Sequence, residues 1–188
     1  MRVPVIDNGG QWTHREYRVL RDLGVETEIL PYTTPFEKLR ADGIVLSGGT
    51  QNLEGTTEGL GEEGTYLDMS RVPVLAICVG HQFMATHFGG KVARAASPEF
   101  GRVSVKLETD SSPLFLGVPP SFVAWGSHNN EVSEVPAQFR TVATSETCRV
   151  EAMVHDTRPL FGLQFHPEVE HTEHGERIFQ NFLALCHR

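Results

Sequence analysis

The chain has 188 residues, of which 39% are hydrophobic, a size and composition typical of one soluble globular domain. Acidic residues outnumber basic ones by 24 to 16, the formal charge is −8, and no basic run is long enough to follow a phosphate backbone. These features exclude nucleic acid as an expected partner.

The start of the chain and the spacing of its cysteines predict a cytoplasmic protein. Residues 1–7 hold too few apolar residues before a charge to form a signal peptide, and no later segment approaches the roughly 20 apolar residues of a membrane span. Cys78, Cys148 and Cys186 lie far apart, which argues against a disulfide framework and against a paired zinc-ligand spacing.

The first half of the chain alternates short apolar runs with helical patterns. Tyr17, Leu20 and Leu23 recur at helical spacing before Gly24. Strands alternating with helices predict a parallel sheet. The Gly/Glu/Thr-rich segment 51–64 predicts a long loop. The predicted strands of this half are 3–6, 25–30, 44–46 and 72–77, with helices near 36–40 and 82–88.

The pattern changes from residue 103 onward. Short alternating runs separated by prolines predict antiparallel strands or hairpins at 103–107, 122–125, 140–143 and 149–154. A final strand at 160–165 and an apolar helical face over 178–186 follow. Residues 1–188 are therefore predicted to form a single α/β domain, with a central, mostly parallel sheet flanked by helices and a smaller antiparallel strand region.

Cys78 has the surroundings of a nucleophile. The small residues Ala76 and Gly80 stand two positions before and after it, as a sharp strand-to-helix turn requires if the side chain is to project above the sheet. A helix that begins just after the cysteine directs its positive end toward the sulfur, which favours the thiolate. Many cysteines after strands are simply buried, but residues 80–82 favour the nucleophile.

Two further segments supply the other parts of a catalytic site. His166 and Glu168 follow a predicted strand and stand two apart, so Glu168 can orient the imidazole and stabilise its charge. In Ser47-Gly48-Gly49-Thr50, consecutive glycines can present backbone N–H groups to an oxyanion. Either segment alone is compatible with an ordinary loop or turn. Together with Cys78 they predict a Cys-His-Glu triad.

The motifs Ser47-Gly48-Gly49, Cys78-Val79-Gly80-His81-Gln82 and His166-Pro167-Glu168 resemble those of the class I, or triad, glutamine amidotransferases, over nearly the whole chain. Within that family the chain is most similar to the glutaminase part of GMP synthase, in particular its separate archaeal-type subunit. That likeness lies in residues 7–12, 125–128 and 164–172. Two departures are Ala76, where the family usually has glycine, and 129–130, where an aspartate is common.

The resemblance implies that Cys78 attacks the side-chain amide of glutamine with help from His166 and Glu168. It implies no cofactor in this chain. ATP, Mg²⁺ and xanthosine monophosphate are expected on a partner, the ATP-pyrophosphatase subunit of GMP synthase, which would receive the ammonia. It further implies oxyanion-hole N–H groups from Gly49 and Val79, and glutamine binding by Gln51, Gln82, Ser127, His128 and Asn129.

Several alternatives remain open at this level. The same triad could serve the glutaminase subunit of another amidotransferase, or a stand-alone hydrolase of γ-glutamyl compounds. A noncatalytic binding subunit would predict a broken triad, whereas all three members are present. His171 and His174 have a spacing that would suit a metal, but the triad explains His166 better, so no metal is expected.

Overall fold

The computed structural model describes residues 1–56, 60–108 and 112–187, and builds them around one nine-stranded mixed sheet in the order β2-β1-β3-β4-β9-β8-β7-β5-β6. The strands are β1 (Val5–Asn8), β2 (Ile29–Pro31), β3 (Ile44–Gly49), β4 (Val74–Ile77), β5 (Lys91–Leu107), β6 (Ser121–Glu134), β7 (Phe139–Thr144), β8 (Ala152–His155) and β9 (Leu160–Leu163). The helices are α1 (Thr13–Asp22), α2 (Glu63–Met69), α3 (Val79–His87) and α4 (Gly175–Cys186), with 3-10 turns at Phe36–Lys38 and Pro113–Phe115.

Five strands, β2, β1, β3, β4 and β9, run parallel to one another. Every residue of β4 and β9 is buried, the pattern of parallel strands that are covered on both faces. The helix α3 lies against β3, β4 and β9, and α1 packs on α4. Because these strands are parallel, their carboxyl ends meet at one edge of the sheet, where the predicted catalytic segments begin.

The remaining strands are antiparallel, as the sequence predicts, and they extend the same sheet through the β8–β9 pair. The two longest strands are here: β5 has 17 residues and β6 has 14. In β6, buried residues alternate with partly exposed ones, so one face of the ribbon packs on the core. The register between β5 and β6 shifts between Arg94 and Glu99.

Some element boundaries differ from the sequence prediction for physical reasons. The helix α2 spans only seven residues and buries Tyr66 and Leu67, too few apolar positions to show a helical period. The predicted loop 51–64 has no helix or strand in 51–56 and 60–62, and residues 57–59 lie outside the described residues. Within the described ranges, no helix has the length and apolar character needed to cross a membrane.

Candidate active site

Cys78 lies at a sharp turn between β4 and α3, with φ 50° and ψ −103°, an uncommon conformation for a residue other than glycine. Its N–H donates to the carbonyl of Leu163 at 2.7 Å. A Cβ at Gly80 would lie 2.7 Å from the carbonyl oxygen of Leu46, so only glycine allows α3 to approach β3 this closely. Such strained conformations cost on the order of 1–3 kcal/mol and concentrate at functional sites.

The imidazole of His166 is fixed from several sides. Its Nδ1 lies 2.6 Å from Oε1 of Glu168, and both side chains are buried. The ring of Trp12 meets it edge-on, with centroids 4.5 Å apart. The backbone is held as well, because the N–H of His166 donates to the carbonyl of Trp125 at 2.9 Å and Thr172 Oγ1 donates to the His166 carbonyl at 2.6 Å.

The charge of this ring follows from its neighbours. Burial opposes the imidazolium, but the carboxylate of Glu168 and the hydrogen-bonded sulfur of Cys78 outweigh it and raise the pKa of His166 well above 6.5. A protonated His166 can therefore donate a proton to a group that reacts at Cys78.

The glycines after β3 run directly along the catalytic pair. A Cβ at Gly48 would lie 3.2 Å from Cε1 of His166 and 3.6 Å from Cβ of Cys78. A Cβ at Gly49 would lie 2.7 Å from the carbonyl oxygen of Asn8. The backbone of this segment thus packs closely against His166, Cys78 and Asn8.

A cavity of about 770 Å³ opens above Cys78 at the carboxyl edge of the parallel strands. Glu168 lies behind His166 and is not part of the wall. Trp12, Glu16, Asn52 and Asn130 contribute to the wall although the sequence assigned them no role. All the other predicted site residues line the cavity: Gly49, Gln51, Cys78, Val79, Gln82, Ser127, His128, Asn129 and His166.

Three of the predicted glutamine-binding side chains already bond within the protein. Gln51 Nε2 donates to the carbonyl of Asn8 at 2.8 Å, and Gln82 Nε2 donates to the carbonyl of Asn130 at 2.7 Å. His128 bonds through both ring nitrogens and is buried. Any glutamine bound here would meet main-chain groups, the side-chain oxygens of Gln51 and Gln82 and the second N–H of Gln51, rather than the ring nitrogens of His128.

His128 belongs to a buried ion pair that the sequence did not indicate. Its Nε2 lies 2.7 Å from Oε2 of Glu99, and its Nδ1 lies 2.9 Å from the carbonyl of Asn130. Burial opposes ionisation of Glu99, but hydrogen bonds from His128 and Thr147 outweigh it and lower the pKa of Glu99. Both ring nitrogens of His128 thus face oxygen atoms, which holds the ring in one orientation.

Two more carboxyl groups are buried, one in the cavity wall and one near Glu99. Burial, reinforced by the charge of Glu168, raises the pKa of Glu16 well above 4.5, which keeps this cavity-lining carboxyl neutral. Burial and the charge of Glu99 also raise the pKa of Glu151 well above 4.5. Neither residue stands in a local pattern that a sequence could reveal, since the burial of each depends on elements that are distant along the chain.

Within residues 1–56, 60–108 and 112–187, no group of three or more His, Cys, Asp or Glu side chains converges as a metal-ligand set. The ring of His171, largely exposed, lies against Trp125 with centroids 5.1 Å apart. His174 has a left-handed backbone at the start of α4 and lies near the ring of Phe122.

Comparison with known proteins relates the whole chain to one family. The family model described as Glutamine amidotransferase class-I matches residues 4–186. A protein from Thermoplasma volcanium, named as one subunit of glutamine-hydrolyzing GMP synthase, is 49% identical over 187 residues, which cover 99% of this chain and 92% of that protein. A protein of the same name from Thermococcus kodakarensis is 47% identical over 188 residues, with 98% of each covered.

Solved structures show the same fold. A structure from Thermoplasma acidophilum, provisionally described as that of a GMP synthase subunit, has a TM-score of 0.93 and 47% identity, and the match covers 100% of this chain and 94% of that one. A glutamine amidotransferase from Thermotoga maritima has a TM-score of 0.74 at 23% identity, covering 98% and 81%. The α/β fold class predicted from the sequence is confirmed.

Proposed function

Since this chain belongs to the class I glutamine amidotransferase family, we propose that it hydrolyses glutamine to glutamate and ammonia through Cys78, His166 and Glu168. The observation that carries the proposal is the buried 2.6 Å pair of His166 and Glu168 beside Cys78, which lies on a strained turn at the start of a helix. A nucleophile, a base and a group that orients the base are the parts that acyl transfer needs.

The first half of the reaction forms a thioester. The thiolate of Cys78 attacks the side-chain carbonyl carbon of glutamine, and the electron pair of the carbonyl moves onto its oxygen. The N–H groups of Gly49 and Val79 stabilise this oxyanion. The imidazolium of His166 then gives its proton to the amide nitrogen, the C–N bond breaks, and ammonia leaves.

The second half releases glutamate. Neutral His166 takes a proton from water, and the resulting hydroxide attacks the thioester carbonyl. The C–S bond breaks, which restores the thiolate of Cys78 beside the imidazolium, while Glu168 holds Nδ1 throughout. Glutamine is held by main-chain groups near Gln51 and Asn129, and the residues Gln82, Ser127 and His128 form the wall around it.

The ammonia is delivered to a separate synthetase subunit. Free ammonia is mostly protonated in neutral water, so a docked acceptor protects its nucleophilicity. The relatives are named as one subunit of GMP synthase, which supports a partner with ATP-pyrophosphatase activity that binds ATP, Mg²⁺ and xanthosine monophosphate and forms GMP. The present sequence has no Gly-Lys-Ser/Thr phosphate-binding motif, and no cofactor is assigned to it.

The test is glutamate release from glutamine by the purified chain, with and without an archaeal-type ATP-pyrophosphatase subunit, ATP and xanthosine monophosphate. We expect low basal hydrolysis that rises with the loaded partner, and a loss of at least about 10³-fold in Cys78→Ala. Cys186→Ala is the matched control and should retain full activity, because Cys186 lies in α4 and does not line the cavity.

Other outcomes would reassign the protein. High turnover of γ-glutamyl compounds that ignores the partner would indicate a stand-alone hydrolase. Stimulation by a different synthetase would keep the glutaminase activity and replace the partner. No hydrolysis under any condition would overturn the catalytic proposal and favour a noncatalytic binding role.

A further inference from the structure

The amide of Gln164 contacts the sulfur of Cys78 although the proposed mechanism does not use it. Gln164 is fully buried just after β9. Its Nε2 lies 3.7 Å from Sγ of Cys78, and its Oε1 accepts a hydrogen bond of 3.1 Å from Nε2 of Gln82. We infer that Gln164 is a further catalytic residue that stabilises the thiolate of Cys78, and that Gln82 and Asn130 are positioning residues that aim its N–H group.

The direction of these hydrogen bonds follows from one main-chain carbonyl. The carbonyl oxygen of Asn130 can only accept, so the side-chain atom of Gln82 that lies 2.7 Å from it must be Nε2. The second N–H of the same Nε2 then donates to Gln164, whose Oε1 has to face Gln82. The other end of the Gln164 amide, an N–H donor, is therefore the end that faces the sulfur.

The carbonyl of Asn130 is itself held in place by the antiparallel strands. Asn130 pairs with Arg94 in the β5–β6 ladder. The same carbonyl accepts a second hydrogen bond, of 2.9 Å, from Nδ1 of His128, whose ring is paired with Glu99 at 2.7 Å. Glu99 also accepts a hydrogen bond from Ser145 at 2.9 Å. A continuous hydrogen-bonded chain thus runs from the antiparallel strands to the nucleophile.

A donor at this position acts on the charge of the sulfur. A sulfur anion accepts hydrogen bonds more strongly than a neutral thiol, and the site is buried, so an N–H directed at Sγ favours the thiolate. In this proposal His166 supplies a positive charge beside the thiolate. Gln164 supplies a hydrogen-bond donor to the sulfur that does not titrate. Gln82 has no N–H left for glutamine and contributes only its Oε1 to the cavity wall.

The inference rests on the proposed role of Cys78 as the nucleophile, and the test reads the thiolate without requiring turnover. The rate at which iodoacetamide alkylates Cys78 is followed by peptide mass spectrometry from pH 5 to pH 10. The variants are Gln164→Met, which has a similar length but no N–H donor, and Gln164→Glu, which replaces the donor by an acidic group. Gln138→Met, in an exposed turn, is the matched control.

We expect the midpoint of the pH–rate profile to rise by about one pH unit in Gln164→Met, which corresponds to about tenfold slower alkylation at pH values below both midpoints. Gln164→Glu should shift it further, because a negative charge then faces the sulfur, and Gln138→Met should match the wild type. Midpoints that rise in the order wild type, Gln164→Met, Gln164→Glu would report on the thiolate. A purely structural defect would not produce this order.

A profile of Gln164→Met that coincides with the wild type would overturn the inference. Should Gln164→Met fail to fold by circular dichroism, Gln82→Met replaces it, since it removes the bond that orients Gln164 and should shift the midpoint the same way. An unshifted Gln82→Met would then overturn the inference. A wild-type Cys78 that alkylates no faster than an ordinary thiol would instead overturn the proposed function.

Discussion

The two parts of the sheet build the site by different means. The parallel strands bring the proposed nucleophile, the proposed base and the glycine-rich segment to one edge. They do so with backbone geometry: the positive φ of Cys78 and the close approach at Gly48 and Gly80. The antiparallel strands hold none of the proposed triad. They contribute a wall fixed by buried side-chain hydrogen bonds, of which Glu99–His128 is the centre.

Each part of the sheet is therefore sensitive to a different kind of substitution. A site made by close backbone approach fails when one extra atom is added, with little loss of stability, since the fold can otherwise remain intact. A site made by a buried charge pair fails when one partner is removed, and stability falls with it, because the other charge is left unpaired. The predictions below use this contrast.

The largest effect is expected from Gly48→Ala in the parallel part. The added Cβ would lie 3.2 Å from the His166 ring and close to Cys78, so it should displace both and lower the kcat/KM of glutamine hydrolysis by about 10³-fold. The free energy of unfolding, measured in urea, should change by less than about 1 kcal/mol.

Gly64→Ala is the matched control for Gly48→Ala. Its Cβ would also lie 3.2 Å from a histidine ring, that of His87, but neither residue lines the cavity. Hydrolysis by Gly64→Ala should equal that of the wild type. If both variants lost activity alike, close approach to the triad would not be the cause.

The next effect is expected from Glu99→Gln in the antiparallel part. His128 would lose its buried carboxylate partner, so the free energy of unfolding should fall by about 3 kcal/mol at pH 7. Because the pKa of Glu99 is lowered on folding, this stabilisation is present above its unfolded pKa and is lost as the pH falls through the folded value. The difference in the free energy of unfolding between Glu99→Gln and the wild type should therefore become smaller at acid pH.

An exposed ion pair on the same two strands provides the comparison. Lys91 and Glu134 are 2.8 Å apart and largely exposed. Glu134→Gln should change the free energy of unfolding by less than about 0.5 kcal/mol, because water screens the pair. Equal losses in the two variants would contradict the importance of burial at Glu99.

The smallest effect is expected from Glu63→Gln, at the start of α2 beside the parallel strands. Burial raises the pKa of Glu63 to about 8. The folded state therefore binds the proton more tightly than the unfolded state, and this stability is complete below the unfolded pKa near 4.3 and lost as the pH rises through 8. Glu63→Gln should be more stable than the wild type by about 2 kcal/mol at pH 6 and nearly equal to it at pH 4.

The control for this pH series is Glu37→Gln, an exposed glutamate in the first 3-10 turn. Its urea midpoint should follow that of the wild type at both pH values. A gain in Glu63→Gln that did not depend on pH would assign the effect to packing rather than to ionisation.

The sequence predicted the parts of the molecule that depend on local pattern. Buried runs indicated the parallel strands, small residues around Cys78 indicated the turn, and the motifs indicated the family, which the comparisons confirm. It could not predict the pairing of Glu99 with His128, because that depends on a register shift within β5. The roles assigned to the site residues stay predictions until the variants are measured.

The contact of Gln164 with Cys78 was equally out of reach, although the residue stands in a motif that the sequence displayed. Nothing near Gln164 along the chain shows that its amide meets Gln82, which lies on α3. Long-range side-chain contacts of this kind depend on the packed structure rather than on periodicity. The short α2 was missed for a simpler reason, because two turns carry too little pattern.

The position of β9 has a consequence for co-translational folding. In space β9 lies between β4 and β8, yet along the chain it follows the whole antiparallel part. A nascent chain therefore exposes the apolar edge of β4 while β5 to β8 are being translated. Unpaired apolar edges of this kind bind chaperones and can start aggregation. The proposed base and its carboxylate emerge only after that edge can close, so no partly translated chain can release ammonia.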